Sequence, residues 1–96
     1  MTGTTRSSEG LDVRRRRLLY HSWHRGTREM DLIMGRFADA VIGALSEAEV
    51  DQFEHLSAAT DHDLYAWISG DRPVEPAYDT DTFRRLCDFV RNNPIA

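Results

Sequence analysis

Met30-Asp31-Leu32-Ile33-Met34-Gly35-Arg36-Phe37-Ala38-Asp39-Ala40-Val41-Ile42 is the stretch that decides the fold class. Its apolar members Met30, Ile33, Met34, Phe37, Ala38, Val41 and Ile42 follow the i, i+3, i+4, i+7 rhythm of one helical face, and Asp31, Arg36 and Asp39 fall off it. Such a stripe needs a core to cover it. The two methionines on it read as gap-filling core residues. Gly35 weakens a helix interior by about 1 kcal/mol relative to Ala, so it is expected to mark a close helix contact.

Working upstream, Arg25-Gly26-Thr27-Arg28-Glu29 stands where this helix meets the preceding one. Gly26 permits positive φ and brings main chain close to anything that docks, with Arg25 and Glu29 flanking the bare patch as opposite charges. Thr27 can cap the helix that follows, and Glu29 suits the positive end of its dipole. An ordinary capped helix joint accounts for the same residues. Taken as surface charges, Arg25 and Glu29 should each tolerate Ala without loss of folding. Taken as an αL cap, Gly26 should tolerate Asn. Before the joint, Asp12 caps a helix over about 13–24, with Leu18, Leu19, Ser22 and Trp23 on one side. The run Arg14-Arg15-Arg16-Arg17 spreads around its circumference, because a helix turns once in about 3.6 residues.

Downstream, Ser46-Glu47-Ala48-Glu49 is a capping box, with Leu45 and Val50 as its hydrophobic staple. The helix it opens turns Val50, Phe53, Leu56 and Ala59 inward. Thr60-Asp61 breaks it and caps a short fourth helix with Leu64, Trp67 and Ile68, which Gly70 ends in αL. Residues 70–78 hold two prolines and read as an extended connection. Asp79 is expected to cap a last helix burying Phe83, Leu86, Cys87 and Val90, which Asn92-Asn93-Pro94 terminates. No strand period or repeat is visible. The expected architecture is all-α, a compact bundle of about five short helices: one domain over 12–93, after a disordered segment over 1–11.

Composition narrows the function. The 96 residues carry a net charge of −4, unevenly placed: residues 1–36 hold eight Arg against four acids, and residues 37–96 four Arg against twelve. Every basic residue is Arg, which favours planar bidentate contacts. The basic first third could meet an acidic protein surface or a phosphate-bearing ligand, although a solvated face accounts for most individual arginines. The single cysteine, Cys87, excludes an intrachain disulfide and suggests a reducing compartment. No apolar run nears the roughly 20 residues of a membrane span. Met1 to Glu9 looks like a transit peptide only superficially, being short and containing an acid.

Catalytic constellations are scarce. His21 and His24 have a spacing that metals use but lack a third ligand, so no metal site is expected. His55 and His62 stand alone at the surface, and Cys87 packs more readily than it reacts. No Walker loop, dinucleotide fingerprint or nucleophile elbow occurs.

Three segments in register carry a resemblance: Trp23 through Leu32 followed by Phe37, Leu45-Ser46-x-x-Glu49 with Phe53 and Leu56, and Asp61-x-Asp63-Leu64-Tyr65-x-Trp67-Ile68-x-Gly70. Over about residues 14–91 they resemble the succinate dehydrogenase flavinylation factors, called SdhE in bacteria. The resemblance implies a five-helix, monomeric, non-catalytic assembly factor. It would bind the flavoprotein subunit of succinate dehydrogenase, and often of fumarate reductase, and promote covalent attachment of FAD to that partner. FAD would not be held stably by this chain, and His21, His24, His55 and His62 would not be flavin attachment sites. The family motif maps onto Arg25, Gly26 and Glu29. With Trp23, Arg28 and Asp31 these form the expected partner-binding set. Many members have Arg where this chain has His24. The implied location is a bacterial cytoplasm, or the mitochondrial matrix for a eukaryotic source. A small helical nucleic-acid-binding or toxin-neutralising module is the other reading of Arg14 to Arg17, weakened by the net negative charge and the dispersed arginines.

Overall fold

Every α-helix among the described residues, 10–94 of this computed structural model, opens on a side chain that accepts a backbone N–H. Asp12 accepts from Arg15 at the head of α1 (Val13–Ser22), and Thr27 from Met30 at the head of α2 (Arg28–Val41). Ser46 accepts from Glu49 at the head of α3 (Glu47–Ser57), where the Glu49 carboxylate accepts in return from the Ser46 N–H. Thr60 opens α4 (Asp61–Ser69), and Thr80 opens α5 (Asp81–Asn92). Each bond satisfies one of the orphan donors of a helix N-terminus. The all-α bundle of five helices is the observed fold.

Three boundaries differ from expectation. α1 stops at Ser22, because Trp23 and His24 turn their N–H groups back to Tyr20 and His21 in a tighter winding. The cap of α5 is Thr80 and not Asp79, whose carboxylate pairs with Arg84 instead. The connection 70–78 is not wholly extended: Pro76–Tyr78 form one 3-10 turn, with Pro76 at its start. Gly70 ends α4 at φ 85° in αL, as expected. Of the segment 1–11, residues 1–9 lie outside the described residues, and Leu11 is partly buried against the core.

α2 is the central element. It packs on α1 and α5, while α3 packs on α1 and α5 and α4 on α5. Met30, Ile33, Met34, Phe37, Ala38 and Ile42 are buried, and Val41 is half-buried. Phe37 lies with its ring centroid 5.4 Å from Phe53 and 5.7 Å from Phe89, so one side chain joins α2, α3 and α5. Gly35 is the close contact its sequence position implied. A Cβ there would overlap the indole of Trp23, which lies across the helix backbone and donates its Nε1–H to Asp39 Oδ1 at 3.1 Å. Thr82, missed by the apolar pattern, is buried because its hydroxyl donates to Gln52 Oε1 at 2.9 Å.

Candidate functional site

The joint between α1 and α2 is shaped by two charged side chains that act from opposite ends. Asp31, one turn into α2, reaches back so that its Oδ1 accepts from the backbone N–H of Arg25 at 2.5 Å and of Gly26 at 3.3 Å. Arg25 reaches across to the break between α3 and α4. Its Nε donates to Asp61 Oδ1 at 2.9 Å, and its two terminal nitrogens donate to the carbonyls of Ser57 at 2.6 Å and Ala59 at 2.8 Å. Those carbonyls belong to the end of α3, where helical partners run out. A planar fork with fixed donor directions can serve carboxylate and carbonyls together, which a lysine could not. The Arg25 side chain is only 11% exposed.

Between these two anchors Gly26 stands bare. Its φ is +114° and nothing lies within 4 Å of where a Cβ would project. The position is therefore demanded by backbone conformation and open to an incoming surface. It is not a helix cap, and φ lies well beyond the αL well near about +57°, so the expected tolerance of Asn does not hold. Thr27, Arg28 and Glu29 follow, all exposed, and the side chains of Arg28 and Glu29 form no ion pair among the described residues. On one flank Thr27, Glu29, His62, Tyr65 and Asp71 line a groove of about 470 Å³ between the start of α2 and α4. Tyr65 is 49% exposed there.

The six residues singled out in the sequence thus divide. Gly26, Arg28 and Glu29 present themselves to solvent. Trp23, expected at the partner surface, is a core residue 7% exposed, because Gly35 gives its ring a seat on α2. Arg25 and Asp31 are engaged within the chain. The expectation that Arg25→Ala leaves folding intact is corrected, since Arg25 satisfies one carboxylate and two helix-end carbonyls. Pattern reading could not find Asp61 as its partner, 36 residues away.

The arginine run divides likewise. Arg14 is drawn into an acidic cluster on α3, with Glu54 Oε2 2.9 Å from its Nε and Asp51 and Glu47 beside it. Its hydrogen bonds hold the Glu54 carboxyl below the usual carboxylate range, and the guanidinium is pushed up in turn. Arg15 bonds Asp12 and the Leu45 carbonyl. Burial pushes the Cys87 thiol up, away from reactivity. His55 stacks on Tyr78 and His24 on Tyr20. Among the described residues no group of His, Cys, Asp or Glu is arranged to hold a metal ion.

Fold and site together define a small all-helical protein with an exposed, glycine-centred joint braced from within. A family profile described as flavinator of succinate dehydrogenase matches residues 16–90, and the chain belongs to that family. Similar proteins include the mitochondrial succinate dehydrogenase assembly factor 2-B of Drosophila ananassae, 36% identical over 89 residues that cover 91% of this chain and 55% of the relative. The assembly factor 2 of Danio rerio is 32% identical over 92 residues, 94% of this chain and 58% of that protein. That of Debaryomyces hansenii is 38% identical over 74 residues, 77% and 52%. The chain spans little more than half the length of these relatives, whose names place them in mitochondria.

Proposed function

We propose that this chain is a non-catalytic assembly factor that binds the flavoprotein subunit of succinate dehydrogenase, with that of fumarate reductase as a further client, and promotes covalent attachment of FAD. The observation that carries the reading is Gly26, held at φ +114° with open space over it and beside it the exposed Glu29, which forms no ion pair among the described residues, in a chain of the flavinator family. Flavin and acceptor histidine belong to the partner, so this chain supplies orientation and no reacting group. A surface that docks on one arrangement of the apoprotein shifts the population toward it and raises the rate of a reaction whose groups are already present. The compartment is the one where that flavoprotein matures: bacterial cytoplasm or, in a eukaryote, the mitochondrial matrix.

The test is to delete the gene in its host, measure covalent flavin on the flavoprotein subunit, and co-purify that subunit with the tagged chain. Loss of flavin with recovery on re-expression, and the subunit in the purified fraction, is the expected result. RNA or a toxin in its place would favour the alternative module, which the engagement of Arg14 and Arg15 with acids of their own chain disfavours.

A further inference from the structure

Two arginines of the run are left over. Arg16 and Arg17 are exposed and form no ion pair among the described residues, whereas Arg14 and Arg15 are held by acids. Arg17, His21 and His24 follow one another at i, i+4 and i+7, which brings them along one side of α1 and its terminal turn. There they line a groove of about 330 Å³ whose far wall is the end of α3, at Glu54, Ser57 and Ala58. Glu54 is the one acid in it, and Arg14 already engages that carboxylate at 2.9 and 2.7 Å. His24 is fixed in place by its ring on Tyr20, centroids 3.9 Å apart, and by Nδ1 at 2.6 Å from the Tyr20 carbonyl. A carbonyl only accepts, so in this contact Nδ1 is the donor. Tyr20 itself is 59% exposed beside them. Arg25 also lines this groove, so it runs into the joint that bears Gly26.

We propose that this groove is a second contact of the docking face and takes an acidic segment of the protein partner. The occupant follows from charge. The groove presents Arg17 and two imidazoles, and its one lining acid, Glu54, is hydrogen-bonded by Arg14, in a molecule that is otherwise net acidic. A nucleic acid needs a continuous basic track. Here Glu47 and Asp51, which stand on the adjoining helix outside the groove lining, interrupt one. A short carboxylate-bearing stretch of protein needs only the groove itself. Contacts of this kind act mainly on the rate of encounter and on register.

The inference rests on the docking reading above, and two measurements separate their failures. The first titrates the isolated chain with an oligoglutamate peptide and follows backbone amides by NMR, with inorganic pyrophosphate and a single-stranded oligonucleotide in parallel. Shifts confined to the groove around Arg17, His21 and His24, and larger for oligoglutamate, support the proposal. No shifts there, or a stronger response to pyrophosphate or oligonucleotide, overturn it. The second measures association with the purified flavoprotein subunit for Arg17→Gln/His21→Gln, two exposed positions, against Arg91→Gln on α5 as control. The double variant should associate about three- to tenfold more slowly with a flatter salt dependence and an unchanged Tm, and the control should match wild type. An unchanged rate in the double variant overturns the proposal. If wild type does not bind the subunit, the proposed function fails, and the NMR titration still decides the chemistry of the groove.

Discussion

The joint between α1 and α2 and the joint between α2 and α3 are both short, and they are held in opposite ways. At the second, the capping is local: Ser46 and Glu49 exchange bonds across three residues and Leu45 and Val50 bury beside them, with a single outside donor, Arg15, at the Leu45 carbonyl. At the first, the backbone adopts a conformation only glycine accepts readily, and the bonds that stabilise it come from one turn into α2 and from the α3–α4 break. A joint that only changes chain direction can be built from caps. One that must show bare main chain in a fixed shape leaves no side chain of its own at that point, so it has to be braced from a distance.

If that contrast is right, substitutions should rank by what they share between the joints. Phe37→Ala removes the ring that joins α2, the helix between the two joints, to α3 and α5, and should cost about 3–5 kcal/mol in denaturant unfolding. A loss below 1 kcal/mol would mean that the core is not shared. Arg25→Ala should come next at about 2–4 kcal/mol, because it strands the Asp61 carboxylate and the Ser57 and Ala59 carbonyls at a largely buried site. Its effect on partner binding then follows from the loosened loop. An unchanged Tm would move Arg25 from brace to surface and erase the distinction between the joints.

Smaller effects sharpen it. Gly26→Asn, in open space but at φ +114°, should cost about 1–3 kcal/mol in strain, whereas Ser46→Ala should cost about 1 kcal/mol as an ordinary cap. Both variants should stay folded. Only the first should abolish co-purification with the flavoprotein subunit. Equal retention of binding in the two would reduce Gly26 to a turn residue.

What was legible in the sequence follows the same line. The helix heads at Asp12, Thr27, Ser46 and Thr60 and the buried stripe of α2 depend on residues three or four positions apart, and there the local pattern and the structure agree. Asp79 and Thr80 are both capping residues and stand side by side, so the sequence does not separate them, and only geometry shows that the Thr80 hydroxyl reaches the N–H of Phe83. Gly35 announces a close contact, but nothing in the pattern names Trp23 as its occupant, so the sequence places Trp23 both on the side of Leu18 and Leu19 and in the partner-binding set. Arg25 misled for a related reason. A charged residue in a loop looks solvated until a carboxylate and two carbonyls from 32 to 36 residues away are brought to it.

The smallest expected effect on stability is also the most informative about function. Glu29 lies in the first turn of α2, exposed and without an ion pair among the described residues, so its contribution to folding is limited to the helix dipole. Glu29→Ala should therefore melt close to wild type, in contrast to Arg25→Ala, although the two residues flank the same glycine. If Glu29 instead presents its charge to a partner, covalent flavin on the flavoprotein subunit should fall in cells that carry the variant as their only copy. Glu29→Gln should fall nearly as far, because it keeps the shape and loses the charge. Raising the salt concentration should narrow the gap between wild type and both variants in a binding assay, as a screened surface contact requires. Full flavinylation in Glu29→Ala would leave the motif with a brace and no exposed contact, and the first joint would then differ from the second only in how it is held.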